Sequence, residues 1–300
     1  MAVAENHTLT LWCRFGGVSN CVERRACARL VDGVSDYWRF TLSRQSLLKE
    51  RLIVELDYGS RREALAMVDY LSRDVGMFKV GRHLYLHSGP DLVREIRQRG
   101  GEVFLDLKFH TPRVAPKAAA EATRLGVRMF DLHAGHSLEM MKRVRHEVNR
   151  LCHYEGLRRP YIVAIAMLAG MNGHPESCSA QCASALDQIC VLARLAADAS
   201  MDGIVTSPCQ VSRVRDACGR RVMILTSTVF PGELSCDTPE RIGPAEAVRS
   251  GADYLMLGKQ VWNAADPVRL IHELLREMDR GVRCAQRRSL ALFSQRPAIN

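Results

Sequence analysis

Eight short runs rich in β-branched and apolar residues, each followed by a longer stretch with helical apolar spacing, constrain this chain more than any other feature. The runs are Leu52–Asp57, Met77–Val80, Glu102–Leu107, Arg128–His133, Tyr161–Met167, Gly203–Thr206, Val222–Thr226 and Tyr254–Leu257. The stretches after them predict helices over about residues 60–73, 88–99, 114–125, 136–150, 182–199, 208–217, 244–250 and 266–279. In the first helix Ala64, Leu65, Val68 and Leu71 fall on one face, and Arg61, Arg62, Asp69 and Arg73 on the other. The strand runs are apolar on both faces, as parallel strands covered by helices must be. Eight such repeats in roughly 230 residues favour a closed (β/α)8 TIM barrel over an open doubly wound sheet. The open sheet would bring a Gly-rich phosphate loop after its first strand. Asp57, Tyr58, Gly59 and Ser60 are too short a run for GxGxxG.

Domain organisation follows from where the pattern starts and stops. Residues 1–50 precede the first strand without a clear period and carry Trp12 and Trp38, so they read as an N-terminal extension packed loosely on the barrel. Residues 51–279 form the barrel, and residues 280–300 form a basic C-terminal tail. The formal charge is +9, but five arginines (Arg280, Arg283, Arg287, Arg288, Arg296) sit in that tail with no acid among them. A charge excess gathered at an end reads as a solvated segment, and it argues against nucleic acid as a partner. No apolar run reaches the roughly 18–20 residues of a membrane span, and the N-terminus lacks a secretory pattern, so a cytoplasmic protein without a membrane partner is expected. Among eleven cysteines there is no CxxC pair, and neither Cys13, Cys21, Cys27 nor Cys178, Cys182, Cys190 matches a zinc spacing. Free thiols and no metal are expected.

Active sites of such barrels form at the C-terminal ends of the strands. Read in order, those ends are Asp57, Lys79, Asp106 with Lys108, His133, Ala169 with Gly170, Ser207, Thr226, and Gly258 with Lys259. Two lysines and two aspartates would face one another across the barrel mouth. A structural ion-pair cluster is the plainer reading, and its position at the catalytic face weighs for function. Alternation along an extended strand puts Asp106 and Lys108 on the same side. A lysine held charged beside a carboxylate can donate a proton to a carbanion.

The segments LIVELDYGSRREAL, GMFKVG, GPDLVREIRQRGGEVFLDLKFH, LHA, GADYLMLGK and ADP, in that order, resemble the bacterial orotidine 5′-phosphate decarboxylase family over about residues 51–275. The resemblance implies conversion of orotidine 5′-phosphate to uridine 5′-phosphate and CO2 in pyrimidine biosynthesis, with no cofactor and no metal. It also implies a phosphorylated pyrimidine nucleotide as ligand and a homodimer. Lys108 is then similar to the proton donor to C6, Asp106 to the aspartate facing the departing carboxylate, and Asp57 and Lys79 to the residues that bind the ribose and brace the charges. His133, Gly170 and Thr226 stand among the substrate contacts, although a structural role fits His133 equally well. Gly258 and Lys259 stand where phosphate is held.

The chain departs from the family pattern at several contacts. Thr111 stands where DxKxxD has the second aspartate, which reaches the neighbouring subunit. The loop there is also a residue short. Ala169 and Gly170 replace a Thr-Ser pair, Thr226–Pro231 lacks the arginine of TPGIRP, and Lys259 replaces an arginine. Lysine keeps a charge for phosphate without the bidentate fork. These departures imply a weakened decarboxylase, and they keep two alternatives open. One is a non-catalytic barrel used for binding. The other is a related phosphosugar lyase, against which stands Lys79 where a magnesium-binding carboxylate would be required.

Overall fold

The computed structural model describes residues 46–109, 111–135, 137–166, 181–227 and 242–294. The chain divides into two units, Met1–Leu47 and Leu48–Asn300. The second holds every strand described here, and of the first only residues 46 and 47 are described.

Strands and helices alternate as the sequence pattern requires. They run β1 (Leu52–Leu56), α1 (Arg61–Leu71), β2 (Met77–Gly81), α2 (Arg82–Gln98), β3 (Val103–Phe109), α3 (Ala115–Arg124), β4 (Met129–His133) and α4 (Leu138–Glu155). The second half comprises β5 (Tyr161–Ile165), α5 (Gln181–Asp198), β6 (Gly203–Thr206), α6 (Val211–Cys218), β7 (Met223–Ser227), α7 (Pro244–Ser250), β8 (Tyr254–Leu257), a short α8 (Lys259–Trp262) and α9 (Pro267–Ser294). All neighbouring strands pair in parallel, and β1 pairs with β8 to close an eight-stranded barrel. The expected fold class is borne out. Among the described residues no helix is long and apolar enough to cross a membrane.

Local chemistry sets the helix ends. Ser60 accepts from the Glu63 N–H and donates to its carboxylate, a side-chain N-cap that starts α1. Ser137 caps α4 in the same way through the Met140 N–H, and Gly156, at φ 66°, ends it in the left-handed conformation. The α2 stretch is longer than the predicted 88–99 and is broken at Gly89 (φ 69°, ψ −173°), just before Pro90. A second difference lies at the C-terminus. The segment read as a basic tail from residue 280 is helical through Ser294. Gly281 lies against α7, where an added Cβ would stand 2.4 Å from the Ala245 carbonyl oxygen.

Pleating divides the core in two. Leu52, Val54, Leu56, Phe78, Val80, Leu105, Phe130, Leu132, Ile162, Ile204 and Ile224 point outward and pack under the helices. Ile53, Met77, Phe104, Met129, Val163, Ile165, Val205, Leu225 and Met256 fill the barrel's interior. This inner plug fixes which face of every strand looks into the barrel, and so which side chains reach its mouth.

Candidate active site

Two residues beyond the inner apolar positions of β1–β4, still on the inner face, stand Glu55, Lys79, Asp106 and Asp131. An apolar layer is therefore followed by an ionisable one at the C-terminal ends of four consecutive strands. The Lys79 ammonium lies 2.7 Å from Glu55 Oε1 and 3.0 Å from Asp106 Oδ2. The Lys108 ammonium pairs with the other oxygen of Asp106, so this carboxylate bridges two cations. Behind it, Asp131 is 1% exposed, and its Oδ1 accepts the backbone N–H of Lys108 at 2.7 Å.

The meeting of Asp106 and Lys108 does not come from regular pleating. Register with β4 runs from Leu105↔Phe130 to Phe109↔Leu132, so β3 advances four residues while β4 advances two. The surplus forms a bulge over Asp106–Lys108, with Lys108 in the left-handed region at φ 52°. The bulge brings the ammonium back onto Asp106. The side-by-side placement expected from alternation is present, but the cause is this break in the strand.

Burial and charge oppose each other here. Burial alone would raise the Asp106 carboxyl, but its hydrogen bond with Asp131 and the Lys79 and Lys108 ammoniums hold it well below the usual carboxylate range. Burial pulls Lys79 down, yet Glu55 and Asp106 outweigh it and hold the ammonium above the ordinary lysine value. Asp131 is pushed well up, first by burial and then by the negative charge of Asp106. Lys79 stays charged between Glu55 and Asp106, Asp106 stays ionised between the two lysines, and Asp131 lies beneath as a neutral acid.

The other expected site residues lie around this network or away from it. Asp57 is exposed one residue past β1 and takes no part in the ion pairs. His133 ends β4 on the inner face, with its Nδ1 accepting the Gly135 N–H at 3.0 Å. Gly258 follows β8 beside Glu55, and a Cβ there would stand 3.2 Å from Glu55 Oε2. Lys259 opens α8 and is exposed. Thr226 does not join the group: it alternates with Leu225 of the inner plug and so turns, fully buried, toward the helices with Ile224. Gly170 and Ala169 lie outside the described residues. Thr111 is exposed, and its carbonyl accepts the N–H groups of Val114 and Ala115 at the start of α3.

Reading strand ends alone passed over Glu55 and Asp131, because at the ends of β1 and β4 it took Asp57 and His133, each two residues further along the same face. The signal that finds them is parity: each lies two residues after an inner apolar residue. Glu55 is further fixed by Trp262, whose indole N–H donates to its carbonyl at 2.7 Å while the ring packs 5.4 Å from Tyr58. Surface recesses of about 340 Å³ and 520 Å³ lie elsewhere, one lined from α3 and α4 and the other from α1 and α2.

Residues 50–274 match the model of the Orotidine 5'-phosphate decarboxylase / HUMPS family. The chain belongs to this family. It is 37% identical over 235 residues to the orotidine 5′-phosphate decarboxylase of Geotalea daltonii, covering 78% of this chain and 98% of that protein. It is 38% identical over 244 residues to that of Pelobacter propionicus, covering 78% and 97%. The crystal structure of orotidine 5′-phosphate decarboxylase from Lactobacillus acidophilus superposes with a TM-score of 0.64 at 22% identity, over 76% of this chain and 98% of that one. At that identity the structural likeness speaks for the fold, while family membership rests on the sequence match.

Proposed function

We propose that the barrel decarboxylates orotidine 5′-phosphate to uridine 5′-phosphate and CO2, a carboxy-lyase of pyrimidine biosynthesis acting in the cytoplasm as a homodimer. The observation that carries this reading is the Lys79–Asp106–Lys108 network at the strand ends of a barrel of this family. The bond from C6 to the carboxylate breaks, CO2 leaves, and the electron pair stays on C6. The Lys108 ammonium, 47% exposed at the mouth, is the group of the DLK run able to deliver a proton to that carbon at neutral pH. Asp106, kept ionised by its two lysines, faces the departing carboxylate, and its charge favours loss of CO2 over retention. Lys79 holds Asp106 in place and, with Asp57, takes the ribose side. His133 borders the base. The backbone at Gly258 and the Lys259 ammonium hold phosphate, and Gly170 lines the site on the family pattern. A nucleotide charged at both its phosphate and its carboxylate does not cross membranes unaided, which supports the cytoplasmic setting. No cofactor is called on in these steps.

Thr111 in place of a charged residue argues for a slow enzyme, because lost transition-state electrostatics cost orders of magnitude in rate. The test is decarboxylation followed by absorbance, beside affinity for a uridine 5′-phosphate-like inhibitor. Lys108→Ala is expected to abolish turnover. Thr111→Asp alone is expected to restore little, since a carboxylate misplaced by about 1 Å can lose about a hundredfold. Rebuilding residues 109–114 to the family length with the aspartate included is expected to exceed the point variant. Wild-type turnover by Lys108→Ala overturns the assignment. Inactivity of every protein together with no inhibitor binding favours the non-catalytic alternative.

A further inference from the structure

Lys108 has an uncommon backbone for a residue with a Cβ. At φ 52° it occupies the left-handed region, which glycine enters freely and other residues enter only when the surroundings hold them there. What holds it is on β4. Asp131 lies between the two β4 residues that bracket the bulge in register, Phe130 and Leu132. Its Oδ1 accepts the Lys108 N–H at 2.7 Å, a donor that regular pairing would have given to a backbone carbonyl. Its Oδ2 is fully buried and finds no donor among the described groups. The group it faces is the Asp106 carboxylate, another acceptor. Two ionised carboxylates so placed would repel in a buried setting, whereas one proton between them makes a hydrogen bond.

We propose that Asp131 is a positioning residue for the reaction. As a neutral acid it clasps the Lys108 N–H with one oxygen and donates its proton to Asp106 with the other, holding the left-handed step that aims the ammonium. Asp131 therefore acts through Asp106 and Lys108 and never touches substrate. The charged groups facing it from β3 are Asp106 and Lys108, with Lys79 beyond Asp106. On its own strand His133 follows, and from β5 the inward Val163 and Ile165 bring no charge.

The kinetic arm of the test rests on the decarboxylase reading, and the other arms do not. Asp131→Asn keeps an acceptor for Lys108 and replaces the proton with an amide donor toward Asp106. It is expected to lose little kcat, whereas Asp131→Ala is expected to lose about a hundredfold with inhibitor affinity nearly kept. Crystal structures are expected to show Lys108 at positive φ in Asp131→Asn and relaxed toward extended backbone in Asp131→Ala. Stability gives a third readout. An unfolded aspartate ionises near pH 4, and Asp131 in the fold ionises far higher. Its contribution is thus fully present below about pH 4 and is lost as pH rises toward the folded value. The Tm of Asp131→Asn minus that of wild type is therefore expected to grow from pH 4 to pH 8.

Should Asp131→Ala fail to fold, the same change in a Lys108→Gly background is expected to fold, because glycine takes φ 52° unaided, and failure in both backgrounds overturns the role. Where both fold, their Tm values are compared, and the loss is expected to be smaller in the glycine background. An equal loss in both backgrounds, a Tm difference flat with pH, or an alanine variant with Lys108 unmoved and kcat intact would each overturn the role. If wild type turns over no orotidine 5′-phosphate, the functional reading falls, and the backbone and stability measurements still decide the role of Asp131.

Discussion

At the scale of single residues, the site is a chain of alternating charge, Glu55–Lys79–Asp106–Lys108, in which each lysine keeps Asp106 ionised. Glu55 is the member with the least obvious purpose. It sits between Lys79 and Gly258, the position proposed for phosphate, where a Cβ would stand 3.2 Å from its Oε2, a tight contact. Its measurable effect is on Lys79. Burial lowers that ammonium's pKa and the two carboxylates raise it, so removing one carboxylate charge must lower it. Glu55→Gln is expected to move the alkaline limb of the kcat/KM profile to lower pH, with the acidic limb little changed. A pH-rate series on both proteins checks this, and an unmoved alkaline limb would show that Lys79 does not titrate in that limb.

At the scale of elements, most helix boundaries obey signals a few residues long. Ser60 with Glu63, Ser137, Gly156, and Pro244 at the first turn of α7 each mark an end by satisfying or removing backbone donors and acceptors. The bulge in β3 obeys no such signal, because it depends on a carboxyl group supplied by β4. The last helix shows the same dependence. Gly281 falls within a run of arginines, yet it is a point where α9 packs directly against the backbone of α7. Gly281→Val would drive a side chain into the Ala245 carbonyl. Overpacking of this kind costs about 1–3 kcal/mol, less a few tenths regained from helix propensity. Urea unfolding is expected to show the lower midpoint at an unchanged m-value, and a midpoint at or above wild type would place the packing of α9 elsewhere.

At the scale of the whole molecule, closure of the barrel gathers residues more than fifty positions apart onto one rim. The same rim is where a second copy is expected to dock. Leu86, 77% exposed, lies near the start of α2, and Val114, 54% exposed, immediately precedes α3. Both helices begin at the catalytic end, and exposed large apolar side chains there fit an interface better than bulk water. Sedimentation at micromolar concentration is expected to give a dimer, and Leu86→Asp combined with Val114→Asp a monomer. A wild-type monomer would remove the interface and, with it, any route for a neighbouring subunit to complete the site.

The sequence by itself determined the eight repeats, the parallel closed barrel, and the placement of Lys79, Asp106 and Lys108 at strand ends. Periodicity is a local property, and parallel strands under helices have few other ways to bury both faces. The family was legible too, since FKVG and FLDLKFH are continuous runs. What only the tertiary structure decided depends on which face of each strand meets the inner plug and on contacts between strands. Parity turned Thr226 away from the mouth and brought Glu55 and Asp131 toward it. Asp131 looks unremarkable in MFDLH until β4 lies beside β3. There its carboxyl takes the place of a backbone acceptor and permits the conformation of Lys108 on which the proposed chemistry turns.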